Sequence, residues 1–432
     1  MKRLLFLSIG VVLAVIRVHA QNVDLNLGTP PNNEIWYTST DGEIVQFNAD
    51  KLDVTVLSNT YNNGKGIIRF SADVTSIEGD SFVPFSDELD IEAKCSNLRS
   101  IAIPNSVTEI GDYAFNRCAH LKGIDIPNSV VAIGDNAFIG CSSLTSLTIP
   151  GSVQYVGSGA FGWCSSLKCV DIPDGVTKIA DATFKYCSSL TNVTIPDSVS
   201  YIGYEAFCGC SSLTGVSIPD CVQNIDGRAF CDCTNLIAVD IPNGVRRIEY
   251  HVFKGCVSLT SVNIPDSVTD IDYYAFYGCY NLTSVVIPNK INKIGMLAFG
   301  ECKNLMDVVM PKNRIFEIEN NAFEGCDNIA EWINSEIAYI TSIHEREQED
   351  FYGWVTRQLK YPQSAIKSGI QGTVEVRFTV GSDGKLGGIR VLKSPAQVLS
   401  DAVVEVLQKS PNWASRRHDE SFVMSFPFNL KK

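Results

Sequence analysis

The chain has 432 residues, 45 % of them hydrophobic, and a formal net charge of −13 at pH 7. That length exceeds what one ordinary core accommodates, so more than one folded unit is expected. The acidic balance excludes binding to nucleic acid by phosphate neutralisation, and no such partner is expected.

The chain opens on Lys2 and Arg3, an apolar run over residues 4–16 and the small-residue ending Val18-His19-Ala20 before Gln21. This reads as a secretory signal over residues 1–20. The apolar run is shorter than the roughly 18 to 20 residues a membrane span needs, and Arg17 closes it. No later segment is long and apolar enough, so an exported chain without a membrane span is expected after signal removal. Retention of the signal helix as an anchor is the alternative. Residues 21–66 are expected to form a β-hairpin cap: residues 35–47 read IWYTST-DG-EIVQF, with Asp41-Gly42 as the tight turn.

Residues 67–333 are periodic. Pro104, Pro127, Pro150, Pro173, Pro196, Pro219, Pro242, Pro265, Pro288 and Pro311 recur every 23 residues, with a phenylalanine column from Phe115 to Phe299 and a cysteine column from Cys118 to Cys302 in the same step. A period of this length marks a solenoid. In the copy beginning at Leu144, the residues Leu144, Leu147 and Ile149 predict a short strand, which Pro150 ends because it has no amide to donate. The Asn/Asp-Ser/Gly pairs that follow in other copies predict a corner. Val153 and Val156 are expected to point inward, and Ala160, Phe161, Cys164 and Leu167 have the spacing of a short helix face. One copy buries only one side of its apolar residues, so stacking must supply the other.

The array has ends. Val74, Ile77 and Phe82 match the columns, residues 83–92 read as an inserted loop, and an extra residue enters between Pro311 and Ile315. Phe323, Cys326 and Ile329 form the last turn, with Trp332 expected to help close it.

Eleven of the 15 cysteines, Cys95 and Cys326 included, lie in the one column. Parallel side chains on neighbouring rungs miss disulfide geometry, so these read as unbridged small hydrophobes. Cys208 and Cys231 are also 23 apart and could lie side by side, bridged or not, while Cys169 and Cys221 stand alone. No CxxC pairs meet histidines, so neither metal nor cofactor is expected. The scattered His120, His251, His344 and His418 have no nucleophile or carboxylate at catalytic spacing, and the chain does not read as an enzyme.

Without its signal and the residues from Glu345 onward, the chain carries 19 basic against 38 acidic residues. The position two before each proline, led by Ala102, makes a small polar strip: Asp125, Thr148, Asp171, Thr194, Ser217, Asp240 and Asn263. These are the partner-binding candidates of the solenoid, for a host protein or a glycan. Tyr204, Tyr250 and Tyr273 share another column, near Tyr274, Tyr277 and Tyr280, and aromatic clusters favour interfaces.

The repeat resembles the BspA-like, Treponema-type leucine-rich repeat of bacterial surface proteins. The run Leu259 to Val262, Ile264-Pro265-Asp266-Ser267-Val268 and Ala275-Phe276 carries the resemblance. It implies a leucine-rich-repeat solenoid of 23-residue turns and a role in adhesion to proteins or cells.

Beyond residue 329 the period stops. After a linker at 334–344, residues 345–432 predict a small two-helix, three-stranded antiparallel unit, so the whole chain is classed α+β. A helix at 345–360 places Phe351, Trp354, Val355 and Leu359 on one side; strands follow at 373–380 and 386–392 around Ser382-Asp383-Gly384, then a helix at 400–409 and a strand at 422–430. Tyr361-Pro362, Ala365, Gly369, Gly372-Thr373-Val374, Phe378, Val380, Asp383-Gly384, Val391, Ser394, Pro411, Trp413 and the closing strand resemble the TonB C-terminal domain. Ile366 stands where many of that family have glutamine, and no proline-rich spacer is present. The resemblance implies periplasmic docking to an outer-membrane TonB-dependent receptor, or another envelope protein, by strand addition along Ser421, Phe422, Val423, Met424, Ser425 and Phe426. The reading is an exported, periplasmic adaptor; a cell-surface adhesin retained by its terminal domain, or an energy transducer if the signal helix is kept, are the alternatives.

Overall fold

A computed structural model describes residues 27–49, 52, 54–79, 81–82, 97–311, 316–380, 385–410 and 421–429. The signal segment, the inserted loop at 83–92, Cys95, the extra residue before Ile315, the Ser382-Asp383-Gly384 turn, Pro411 and Trp413 lie outside the described residues. Among the described residues no helix is long and apolar enough to cross a membrane. The chain divides into a unit comprising Met1–Met310 with Asn321–Ile329 and a second comprising Pro311–Asn320 with Ala330–Lys432.

The first unit begins with strands β1 (Glu34–Ser39), β2 (Val56–Asn62) and β3 (Lys65–Phe70). The hairpin lies between β2 and β3, not around Asp41-Gly42 as expected. Its turn residues Asn63 and Gly64 have φ of 52° and 78°, the paired left-handed conformations of a tight hairpin turn. β1 is occupied on both sides: it pairs antiparallel with β3 and with β4 (Leu98–Ala102). Residues 43–47 therefore find no edge on β1. Asp41 Oδ1 instead accepts the Glu43 amide at 3.0 Å and Asn97 Nδ2 at 3.1 Å. Pairing with β1 fills the outer edge of β4, where a solenoid otherwise offers unpaired groups.

From β4 onward most coils contribute rungs to two parallel ladders. The first lies before the prolines, with Ser100↔Gly123, Cys169↔Asn192, Ala238↔Ser261 and Ser284↔Asp307 in register. The second follows the corner, with Glu109↔Ala132, Lys178↔Tyr201 and Arg247↔Asp270. The copy at Leu144 departs from expectation: no strand forms there, although Leu147 and Ile149 are 7 % and 6 % exposed. The flanking bonds, Thr145 N–H to the Lys122 carbonyl and Lys168 N–H to the Thr145 carbonyl, are stretched to 3.3 Å, too loose for regular pairing.

The corners form as the proline columns predict. Val130 N–H donates to the Pro127 carbonyl at 3.0 Å, and the same bond recurs from Pro104 to Pro288. Serine and glycine alternate at the corner for one reason. Ser129 and Ser152 Oγ donate to the Val107 and Val130 carbonyls of the preceding coil at 2.6 and 2.7 Å. Where glycine stands, a Cβ on Gly175 would lie 2.6 Å from the Val153 carbonyl, so a side chain there crowds this oxygen unless it bonds to it.

The short helix expected in each coil is absent. Ala160, Phe161, Cys164 and Leu167 are fully buried as the spacing requires, but the backbone alternates between two kinds of bond. Ala114, Asn116 and Cys118 donate to carbonyls three residues back, while Tyr113, Phe115 and Arg117 donate to Asp135, Ala137 and Ile139 of the next coil. Turning every second amide outward requires left-handed residues, and Tyr113, Arg117, Asn136, Trp163, Ala182 and Tyr186 all have φ between 53° and 58°. A helix would spend those amides inside one coil; the stack uses them between coils.

Stacking carries the core. Phe82, Phe115 and the later phenylalanines to Phe323 form one file of parallel rings, with neighbouring centroids 5.0 to 5.7 Å apart. The cysteine column lies beside it, buried and free from Cys141 to Cys326. Cys118 departs from this and from the expectation of an unbridged column: it is disulfide-bonded.

The second unit contains α1 (Ala330–Gln358), α2 (Gln363–Lys367), β5 (Gly372–Val380), β6 (Leu386–Lys393), α3 (Gln397–Gln408) and β7 (Ser421–Phe428). α1 runs through residues 334–344, expected as a linker, because no proline or glycine stands between Ala330 and Tyr352. Trp332 is 40 % exposed on it. α2 is a third helix beside the two expected. The antiparallel sheet has the order β6-β5-β7. Val374, Val376, Phe378, Phe426 and Phe428 face Phe351, Val355, Leu399, Val403 and Leu407 in one core. The tyrosine-proline motif fastens the α2 segment: Tyr361 Oη donates to the Ile370 carbonyl at 2.5 Å, and its ring meets Phe428 edge-on at 5.3 Å.

Candidate binding surfaces

The polar strip stands on the outer face of the first ladder. Asp125, Thr148, Asp171, Thr194, Ser217, Asp240 and Asn263 are all exposed, whereas Ala102, which precedes them in the column, is buried. Part of this polarity is used internally. Thr194 Oγ1 donates to Asp171 Oδ1 at 2.6 Å, and Thr191 and Thr260 donate to the Lys168 and Ile237 carbonyls of the preceding coils at 3.0 and 3.1 Å. Within the strip Asp171 and Thr194 are thus fastened to each other, and the neighbouring Thr191 and Thr260 to the coil before them.

Its character changes beyond Asn263. The next members of the column, Val286 and Val309, are 56 % and 47 % exposed, and Met306 beside them is 65 % exposed. This apolar end was absent from the sequence reading, although continuing the column two steps would have found it. Exposed aliphatic groups clustered on a polar face mark interaction sites more often than scattered ones do.

A second face is aromatic. Tyr250 stacks on Tyr273 at 5.2 Å and reaches Tyr204 at 6.4 Å, skipping a coil. Gly227 makes this possible: it occupies the same column between them, and a Cβ there would lie 2.6 Å from the Tyr250 ring. Tyr274 and Tyr277 meet at 5.2 Å, with Lys254 Nζ 5.9 Å from each ring. Tyr280 lies outside this cluster, with Lys303 Nζ 5.3 Å from its ring. Farther along, Trp163 and Tyr186 pair at 5.3 Å, with Lys185 Nζ 5.4 and 5.6 Å from them.

Between the aromatic groups lies a buried ion cluster. Glu205 Oε2 accepts from Lys185 Nζ at 2.5 Å and its Oε1 from Arg228 Nη1 at 3.0 Å. Burial pushes the Glu205 carboxyl up, but the hydrogen bonds and charges of Lys185 and Arg228 outweigh it and hold the group below the ordinary carboxylate value. Burial likewise lowers His251, with Lys254 and Arg228 adding to the effect.

In the second unit, β7 pairs with β5 and is an edge of the described sheet. Phe426 is buried and Phe422 and Met424 are half-buried against the core, while Val423 and Ser425 are exposed. The odd-numbered residues turn their backbone groups to the open side. Pro427 has no amide and fits an edge strand only with that position facing away from its partner. The Ser425 carbonyl takes a hydrogen bond from Tyr352 Oη at 3.3 Å. Ser421, Val423 and Ser425 share this parity, and Pro427 ends the open run.

Comparison with known proteins agrees with both units. The profile of the BspA type leucine rich repeat region matches residues 92–214 and 201–330, in six copies. That of the Gram-negative bacterial TonB protein C-terminal matches residues 357–430. Among solved structures, the chain is similar to a leucine-rich repeat protein from Bacteroides ovatus at 27 % identity, covering 63 % of this chain and 84 % of that one with a TM-score of 0.38. It is also similar to a leucine rich cell surface protein from Faecalibacterium prausnitzii at 29 % identity, covering 70 % and 94 % with a TM-score of 0.39. No curated protein matches. The repeat profile spans more than half of the chain, over the stretch that holds the file of phenylalanines, the cysteine column and the proline corners: this chain belongs to the BspA-type leucine-rich repeat family and carries a TonB C-terminal domain after its repeats.

Proposed function

We propose that the chain is an exported, non-enzymatic binding protein of the envelope. The solenoid presents its face to a protein or glycan, and the terminal domain docks an extended segment of an outer-membrane receptor along β7. The observation that carries the docking reading is the edge position of β7, where Ser421 and Val423 turn their backbone groups to the open side and Ser425 does so with its carbonyl already held by Tyr352 Oη. An open edge of this kind adds a strand from an extended peptide, with main-chain bonds supplying affinity. For the solenoid, the aromatic groups interleaved with Lys185 and Lys254 suit sugar rings as well as protein side chains.

Capture from solubilised outer membrane tests the docking. The full chain should retain a TonB-dependent receptor, deletion of residues 345–432 should release it, and Val423→Pro should release it while keeping the fold. Proline fits Val423 because that amide faces away from β5. Equal capture by the deletion would refute docking through this domain. Protease treatment of intact cells decides between the periplasm, where the chain is protected, and an adhesin at the surface, where it is cut.

A further inference from the structure

Two cysteines outside the main column meet on neighbouring coils. Cys208 and Cys231 are 4 % and 5 % exposed, both are free, and with Asp232 they place one ligand atom each within 4.8 Å of one another. Cys231 Sγ lies 3.4 Å from Asp232 Oδ2, to which its thiol donates. A tetrahedral zinc ion with ordinary bond lengths holds two thiolates about 3.8 Å apart and a thiolate and a carboxylate oxygen about 3.5 Å apart. The three side chains already stand close to that arrangement, and Asp232 is exposed, leaving an open side. We propose that Cys208, Cys231 and Asp232 bind a thiophilic divalent cation of the zinc class, with three protein ligands and one position open to solvent.

The repeat builds the site by its register. Lys185, Cys208, Cys231 and Lys254 follow one another at 23-residue steps, so the thiols occupy adjacent rungs with a cation in the column on either side. The thiolate is the form that binds metal, so the ion must displace both thiol protons. Glu205 neutralises Lys185 and Arg228 together through its two bonds, so the nearest positive charges do not all oppose the ion. Asp232 has room because Gly255 follows it in the next coil: a Cβ there would lie 2.2 Å from Asp232 Oδ1. Binding replaces the two thiol protons, so one ion enters and two protons leave to solvent.

Reduced, metal-stripped full chain titrated with cobalt(II) tests this. One equivalent should produce thiolate-to-metal charge-transfer absorption, release two protons and be displaced by zinc(II). Cys208→Ser and Cys231→Ser should each abolish the band, Asp232→Asn should weaken binding by about tenfold or more, and Cys169→Ser should leave it unchanged. Asparagine tolerates the left-handed backbone at 232, whose φ is 56°, so that variant keeps the fold, and circular dichroism checks the serine variants. No band in the folded, reduced chain overturns the proposal. So does a band that survives both serine variants, or a Cys208–Cys231 disulfide in chain purified without reductant from the exported fraction.

Discussion

The thiol of Cys141 donates to the carbonyl of Phe115, in the preceding coil, at 3.2 Å. The same oxygen accepts the Cys118 amide at 3.1 Å, so one carbonyl joins its own turn to the next coil. The bond repeats from Cys164 to Phe138 through Cys326 to Phe299, at 3.0 to 3.3 Å. Cysteine suits the position because it is small, apolar and still a weak donor. Cys256→Ala should therefore lower stability by roughly 1–2 kcal/mol, the sum of a small cavity and a weak bond. The thermal midpoint measures it; an unchanged midpoint would assign the column to packing space alone.

The same burial makes these thiols unreactive. Desolvation pushes Cys187 up to about 12, with Cys164, Cys210 and Cys256 also well above the ordinary thiol value. At pH 8 a thiol reagent should modify Cys169 and Cys221, both half-buried, while the column stays unlabelled until denaturant is added. Peptide mass mapping reads the order, and early labelling of Cys187 would contradict it.

Glu205 predicts an acid-side loss of stability. Its folded carboxyl lies below the ordinary value because Lys185 and Arg228 outweigh burial. The resulting stabilisation is complete above the unfolded carboxylate value of about 4.3 and is lost as pH falls through the lower folded value. Glu205→Gln should cost roughly 1–3 kcal/mol at pH 7, and its deficit against the parent chain should shrink as acid protonates the parent's carboxylate. Thermal midpoints from pH 7 to pH 3 follow the two curves; parallel curves would refute the ion cluster.

Ala182 sits at φ 53° with a Cβ that the left-handed region disfavours. Ala182→Gly should raise stability by up to about 1 kcal/mol, since relief of strain exceeds glycine's added freedom in the unfolded chain. Ala160→Gly is the control: Ala160 is fully buried and absent from the left-handed positions, so this change should lower stability. Equal effects from both would remove strain as the cause.

The strongest columns in the sequence, proline, phenylalanine and cysteine, placed the corners, the ring file and the buried thiols because each depends on a side chain repeating at one step. The closing strand was equally legible from the alternation of Val423 and Ser425 with Met424 and Phe426. What escaped depends on backbone direction. Ala160, Phe161, Cys164 and Leu167 have a helical spacing, yet the amides between them point to another coil, and spacing alone does not record that choice. The hairpin was misplaced for a similar reason: Asp41-Gly42 and Asn63-Gly64 both permit a turn, and only the pairing of β1 with β4 decides between them. The 23-residue step already places Cys208 beside Cys231; what it does not record is the Asp232 carboxylate that lies with the two thiols.

The outward amides of Tyr113, Phe115 and Arg117, met by the carbonyls of Asp135, Ala137 and Ile139, bear on how such a chain changes over generations. Each coil passes to its neighbour the same set of groups that it receives, so a duplicated unit of 23 residues enters the middle of the array with every donor matched. Each insertion lengthens the reach by about 4.8 Å, one rung spacing. The terminal strands and the C-terminal domain need no alteration, so the length of the array can be adjusted in whole steps by recombination alone.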